Sequence, residues 1–86
     1  MDAKQTILCA ICEEYLKDIP DIESLSAESL EMKTEVFFWG CKKLENEGYI
    51  QEFRDENRKP PRNHILKGML PSRAGLEYYA SLKAGD

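Results

Sequence analysis

The sequence contains no apolar run longer than the six residues 7–12, far short of the roughly 20 that span a bilayer, so a membrane helix is excluded. Its start, Met1-Asp2-Ala3-Lys4, lacks a basic stretch leading into an apolar one, and no secretory leader is visible. Cysteine is scarce. Three thiols cannot all pair within one chain, which argues against a secreted disulfide scaffold and for a reducing cytoplasm. Glycine (5) and proline (4) are sparse, and neither repeats nor low-complexity segments are present. Positive charge is in deficit: 12 Lys and Arg stand against 16 Asp and Glu, a formal net charge of −4. Bulk charge therefore argues against indiscriminate nucleic-acid binding. An enzyme constellation is missing as well. Ser72 has no nucleophile-elbow context, Glu13-Glu14 reads as a solvated acidic face, and no glycine loop cradles phosphate. These absences describe a non-enzyme that needs no cofactor.

What remains is an ordinary globular composition. The 86 residues are 42% apolar and 33% charged, enough for one small domain that buries roughly 60–65% of its unfolded surface. Charge is spread unevenly. Residues 1–33 carry three lysines against eight carboxylates, a net of −5, and residues 34–53 carry two against four, a net of −2. Residues 54–73 reverse the sign, with six Lys and Arg against two acids, a net of +4. An acidic front and a basic later segment allow a local anion-binding surface on an acidic chain, although an Arg-rich polar loop would look the same.

Hydrophobic spacing predicts a helix over 3–17, with Ile7, Leu8, Ile11, Tyr15 and Leu16 on one side and Pro20 as its stop. A short second helix is expected within 21–32, capped by Asp21, Ser24 or Ser26 and ending near Leu30 or Glu31, with Leu25, Leu30 and Met32 inward. Residues 34–47 give the clearest helix: Phe37, Cys41 and Leu44 form the buried stripe, flanked by Val36 and Gly40, with Thr34 or Lys33 as cap and Gly48 as the left-handed stop. Residues 49–53 read as a strand, 54–63 as a loop held open by Pro60-Pro61, and 64–70 as a returning strand. Ser72 caps a last helix over 73–83 that packs Leu76, Tyr79 and Leu82. The expected fold is α+β and mostly helical, in the order α-α-α-β-β-α, a helix-turn-helix followed by a hairpin over about 49–70, in a single domain spanning 1–86.

Three stretches resemble the winged-helix superfamily: Ala27-Glu28-Ser29-Leu30-Glu31-Met32-Lys33-Thr34-Glu35, then Leu44-Glu45-Asn46-Glu47-Gly48-Tyr49-Ile50, then Leu70-Pro71-Ser72-Arg73-Ala74-Gly75-Leu76-Glu77-Tyr78-Tyr79. Within that superfamily the chain is most similar to the small YjcQ-type proteins of phages and prophages, over nearly its whole length. The resemblance implies a winged helix-turn-helix, the hairpin being the wing, and a small DNA-binding transcriptional regulator whose third helix lies in or near the major groove.

Residue by residue, that expectation places Lys42 and Lys43 on the outer side of the third helix, and Arg54, Arg58, Lys59 and Arg62 on the wing tip, all suited to phosphates of double-stranded DNA, with Arg73 adding a contact. Phe38 and Trp39 do not suit a groove-reading helix, and Glu35 would face phosphate unfavourably. Exposed aromatics of that size mark a contact surface, so the alternative is a protein-interaction module in which Phe38 and Trp39 anchor a homodimer or another partner. One of them folding against the wing or the first helix is the third option. Cys9-Ala10-Ile11-Cys12 has redox or metal spacing, yet it sits mid-helix with no strand before it. A zinc site would need Cys41 and His64, which lack standard spacing, so the thiols are expected to be buried and structural and no metal is expected.

Overall fold

The computed structural model describes residues 2–51 and 70–85, apart from the side chain of Glu23. Its elements are α1 (Ala3–Tyr15), a single 3-10 turn (Ile22–Ser24), α2 (Thr34–Asn46) and α3 (Arg73–Ala84). Among the described residues no helix is long and apolar enough to cross a membrane.

Local chemistry accounts for the start of α1, the end of α2 and the start of α3, while Lys33 precedes α2 with no side-chain cap. Asp2 and Gln5 form a reciprocal capping box at the start of α1, with Asp2 Oδ1 accepting from Gln5 N at 2.8 Å and Gln5 Oε1 accepting from Asp2 N at 3.1 Å. The end of α2 is a Schellman closure: Tyr49 N donates to Leu44 O (2.9 Å) and Gly48 N to Glu45 O (3.0 Å). Gly48 holds φ at 81°, the left-handed value that this closure requires and glycine adopts without steric cost. Ser72 starts α3 by accepting from Gly75 N at 3.0 Å, and its hydroxyl donates to Gly48 O at 2.5 Å, tying the head of α3 to the tail of α2.

Ile7, Leu8, Ile11 and Cys12 of α1 interlock with Phe37, Cys41 and Leu44 of α2, all fully buried, and Ile22, Leu25, Ala27 and Ile50 close the cluster. The spacing of the α2 stripe is therefore its core face, as expected. On α3 only Gly75 is buried, while Leu76, Tyr78 and Tyr79 pack half-buried against the core. Polar ties join the same helices: Lys4 Nζ to Glu47 Oε1 at 2.7 Å, and Gln5 Nε2 to Tyr78 Oη at 2.9 Å. Tyr15 and Leu16, expected inward, are instead exposed, at the last residue of α1 and at its C-cap.

The expected α-α-α-β-β-α winged helix is corrected on two counts. First, no α-helix forms within 21–32. Ser26 and Ser29 cap each other reciprocally (2.8 and 3.1 Å), but the turn they start lasts only to Glu31, where Met32 N donates to Ala27 O (2.9 Å) and Glu31 N to Glu28 O (3.0 Å). One turn fixes several residues for few hydrogen bonds, so it does not propagate. Glu31 leaves it at φ 56°, a left-handed conformation uncommon for a residue other than glycine. Second, there is no strand among the described residues. One antiparallel bridge, Ile50 to Pro71, joins the two flanks, through Gln51 N to Leu70 O and Ser72 N to Tyr49 O, both 3.0 Å. Ile50 and Pro71 face each other as a non-hydrogen-bonded pair, a position where proline takes no donor from the ladder. The rest of the expected hairpin, residues 52–69, lies outside the described residues.

The strained backbone at Glu31 makes a direct prediction. Glu31→Gly removes the Cβ clash of the left-handed state and is expected to raise stability by about 0.5–1 kcal/mol. A urea midpoint unchanged or lowered in the variant would contradict it.

Candidate functional site

With Phe37, Cys41 and Leu44 committed to the core, helical geometry turns Glu35, Val36, Trp39, Lys42, Lys43 and Asn46 outward, and all six are exposed. Trp39 is the largest of them and leaves 55% of its surface in solvent, with Val36 beside it at 37%. A shallow open cavity of about 420 Å³ lies on this face, lined among the described residues by Glu35, Val36 and Trp39. Lys43 Nζ stands over the Trp39 ring, 5.3 Å from its centroid, a cation–π contact. Glu35 sits in the first turn of α2 and Lys43 in its last, each at the end favoured by the helix dipole. The surface thus has an apolar centre with a negative charge on one side and a positive one on the other.

The structure separates the residues expected at the site. Phe38 is half-buried and packs against the core, whereas Trp39, one residue on, faces out. Lys42 pairs with Glu45 at 3.4 Å on the exposed side of α2. Arg73 stands apart on α3, its side chain 93% exposed and within 3.5 Å of Glu77. Arg54, Arg58, Lys59, Arg62 and His64 lie outside the described residues.

A second surface was not foreseen. A cavity of about 330 Å³ opens between α1 and α3, lined by Thr6, Cys9, Ala10, Glu13, Leu30, Leu82 and Lys83. At its rim Glu13 Oε2 accepts from Lys83 Nζ at 3.0 Å and from Tyr79 Oη at 3.3 Å. The hydrogen bond from Lys83 to the Glu13 carboxylate raises the lysine pKa, and partial burial, with the Glu13 charge, raises that of Tyr79. Both shifts lead away from neutral pH: Lys83 stays a cation there and Tyr79 a neutral phenol. Nothing in the sequence pairs Glu13 with a lysine at the other end of the chain.

The thiols divide in the same way. Cys12 and Cys41 are fully buried, and burial pushes each up to about 12, so neither is a thiolate at neutral pH. Cys9 is half-buried at the cavity edge. Among the described residues no three His, Cys, Asp or Glu side chains come together in a metal-holding group. No family model, curated protein or solved structure matches this chain.

Proposed function

We propose that the protein is an interaction module that docks another polypeptide on the outer face of α2. The observation carrying this reading is Trp39, more than half exposed on a stable helix beside an open apolar cavity. A tryptophan held rigidly at the surface offers large contact area at little entropic cost, and such residues dominate binding energy at interfaces. Charge supports the same reading. The chain carries 12 Lys and Arg against 16 Asp and Glu, a formal net charge of −4, which disfavours a phosphate backbone.

A small DNA-binding regulator is the second reading. It is favoured by Arg73, fully extended into solvent at the first turn of α3, where backbone N–H groups also attract anions. It would rely on Arg54, Arg58, Lys59 and Arg62 for the rest of its phosphate contacts.

Peptide ligands selected from a displayed library against the full chain, together with titration of generic duplex DNA at two salt concentrations, test these readings. The selected ligands are expected to bind Trp39→Ala roughly thirty-fold more weakly, the usual effect of truncating a central aromatic. The duplex is expected not to bind even at low salt. Ligands that bind Trp39→Ala as tightly as the parent overturn the docking reading. Duplex binding that weakens steeply with salt replaces it with the DNA reading.

A further inference from the structure

We infer that the polypeptide seated on this face is a second copy of the chain, with the two α2 helices antiparallel across a two-fold axis beside Trp39. The inference rests on the docking reading above and names its partner.

Glu35, Trp39 and Lys43 are spaced i, i+4 and i+8, so they form one ridge along the exposed side of α2. At 1.5 Å rise per residue, Glu35 and Lys43 lie about 12 Å apart along the axis, roughly 6 Å to either side of Trp39. A two-fold axis at the level of Trp39 reverses the second helix. Glu35 then falls level with Lys43 of the other copy, and Lys43 with its Glu35. The same patch meets itself, which is the defining property of a two-fold interface. A parallel arrangement would set Glu35 on Glu35 and Lys43 on Lys43, so the charge order selects the antiparallel one.

Intrachain contacts leave both charges available for such pairing. Among the described residues neither Glu35 nor Lys43 takes part in an ion pair within its own chain. Lys43 is held over its own Trp39 ring, which positions the ammonium at the edge of the apolar centre. Val36 stands one i+3 step from Trp39 and widens that centre. The open cavity lined by Glu35, Val36 and Trp39 faces the same side and can accept the indole of the other copy.

Charge reversal tests this arrangement without removing the apolar anchor. Sedimentation equilibrium of the full chain is expected to show a monomer–dimer equilibrium, with emission from Trp39, the single tryptophan, shifting to the blue as concentration rises. Glu35→Lys alone and Lys43→Glu alone each place like charges opposite one another twice and are expected to weaken self-association roughly ten-fold. An equimolar mixture of these two variants restores both attractive pairs and is expected to dimerise like the parent, as is the double variant E35K/K43E. The mixture also guards against a folding defect in either variant, since a misfolded chain cannot rescue its complement. A parent that remains monomeric at about 1 mM overturns the inference. So do single reversals that dimerise like the parent, or a mixture no better than its components. A monomeric parent whose selected peptide ligands still depend on Trp39 removes the second copy and leaves the docking face standing.

Discussion

Gly75→Ala is expected to lower stability by about 3 kcal/mol, although alanine is the better helix former by about 1 kcal/mol. Gly75 is the third residue of α3 and the only fully buried one on that helix. A Cβ built there would overlap the carbonyl oxygen of Tyr49 and lie 2.9 Å from its carbonyl carbon and 3.4 Å from its Cα. All three neighbours are backbone atoms, so no side chain can swing away. The Tyr49 peptide cannot retreat cheaply either. Its N–H closes α2 through Leu44 O, and its C=O accepts from Ser72 N, the cap residue of α3. Relief therefore requires α3 to shift from the end of α2, at the expense of the Ser72 contacts and the Ile50–Pro71 bridge. For a domain of this size the loss corresponds to a fall in Tm of roughly 12–24 °C. Gly85→Ala serves as the control, because a Cβ there meets only ordinary contacts from 3.5 Å outward. A Gly75→Ala midpoint equal to the parent's would show that α3 does not rest on the Tyr49 backbone.

The contrast between these glycines shows which parts of the fold are legible in the sequence. Gly48 announces its role, because it follows a regular apolar stripe and precedes the strand-like pair Tyr49-Ile50, as a left-handed helix stop does. Gly75 does not, because its role depends on a backbone segment 26 residues earlier in the chain. The three α-helices are readable for the same reason as Gly48: Phe37, Cys41 and Leu44, or Ile7, Leu8 and Ile11, repeat within a few residues and need no knowledge of a partner. The segment around Ser26 misleads because its cap is genuine while its exit, Glu31 at φ 56°, is a conformation that sequence assigns to glycine or asparagine. The expected strands show the reverse problem. Tyr49 and Ile50 have strand chemistry, but among the described residues it yields one bridge, to Pro71, and residues 52–69, which would lengthen it, lie outside the described residues. At the candidate site the outward register of Glu35, Trp39 and Lys43 follows from the stripe on the other side of α2. The departure of Phe38 from that surface does not, since a residue at the boundary is placed by what packs beside it.

That register yields the other large prediction, which tests the fold and the candidate face together. Phe37, Phe38 and Trp39 are three consecutive aromatics, and each step rotates the side chain about 100° around α2. Among the described residues Phe37 is the largest fully buried side chain. Phe37→Ala leaves a cavity between α1 and α2 and is expected to cost about 3–5 kcal/mol. A chain of this length has roughly 4–13 kcal/mol in total, so the variant is expected to lose between about a quarter and all of its stability, with the lowest melting temperature of the three. Phe38→Ala removes a half-buried ring and is expected to cost about 1–2 kcal/mol. Trp39→Ala, although it deletes the biggest side chain, is expected to stay within about 0.5 kcal/mol of the parent, because its ring is already largely in water. Thermal unfolding followed by far-UV circular dichroism reads all three on one scale. If Trp39→Ala falls as far as Phe37→Ala, the indole belongs to the core, and the docking face and its self-complementary charges fall with it. If the costs descend from Phe37 to Trp39, the tryptophan contributes little to folding, as the proposed docking face requires.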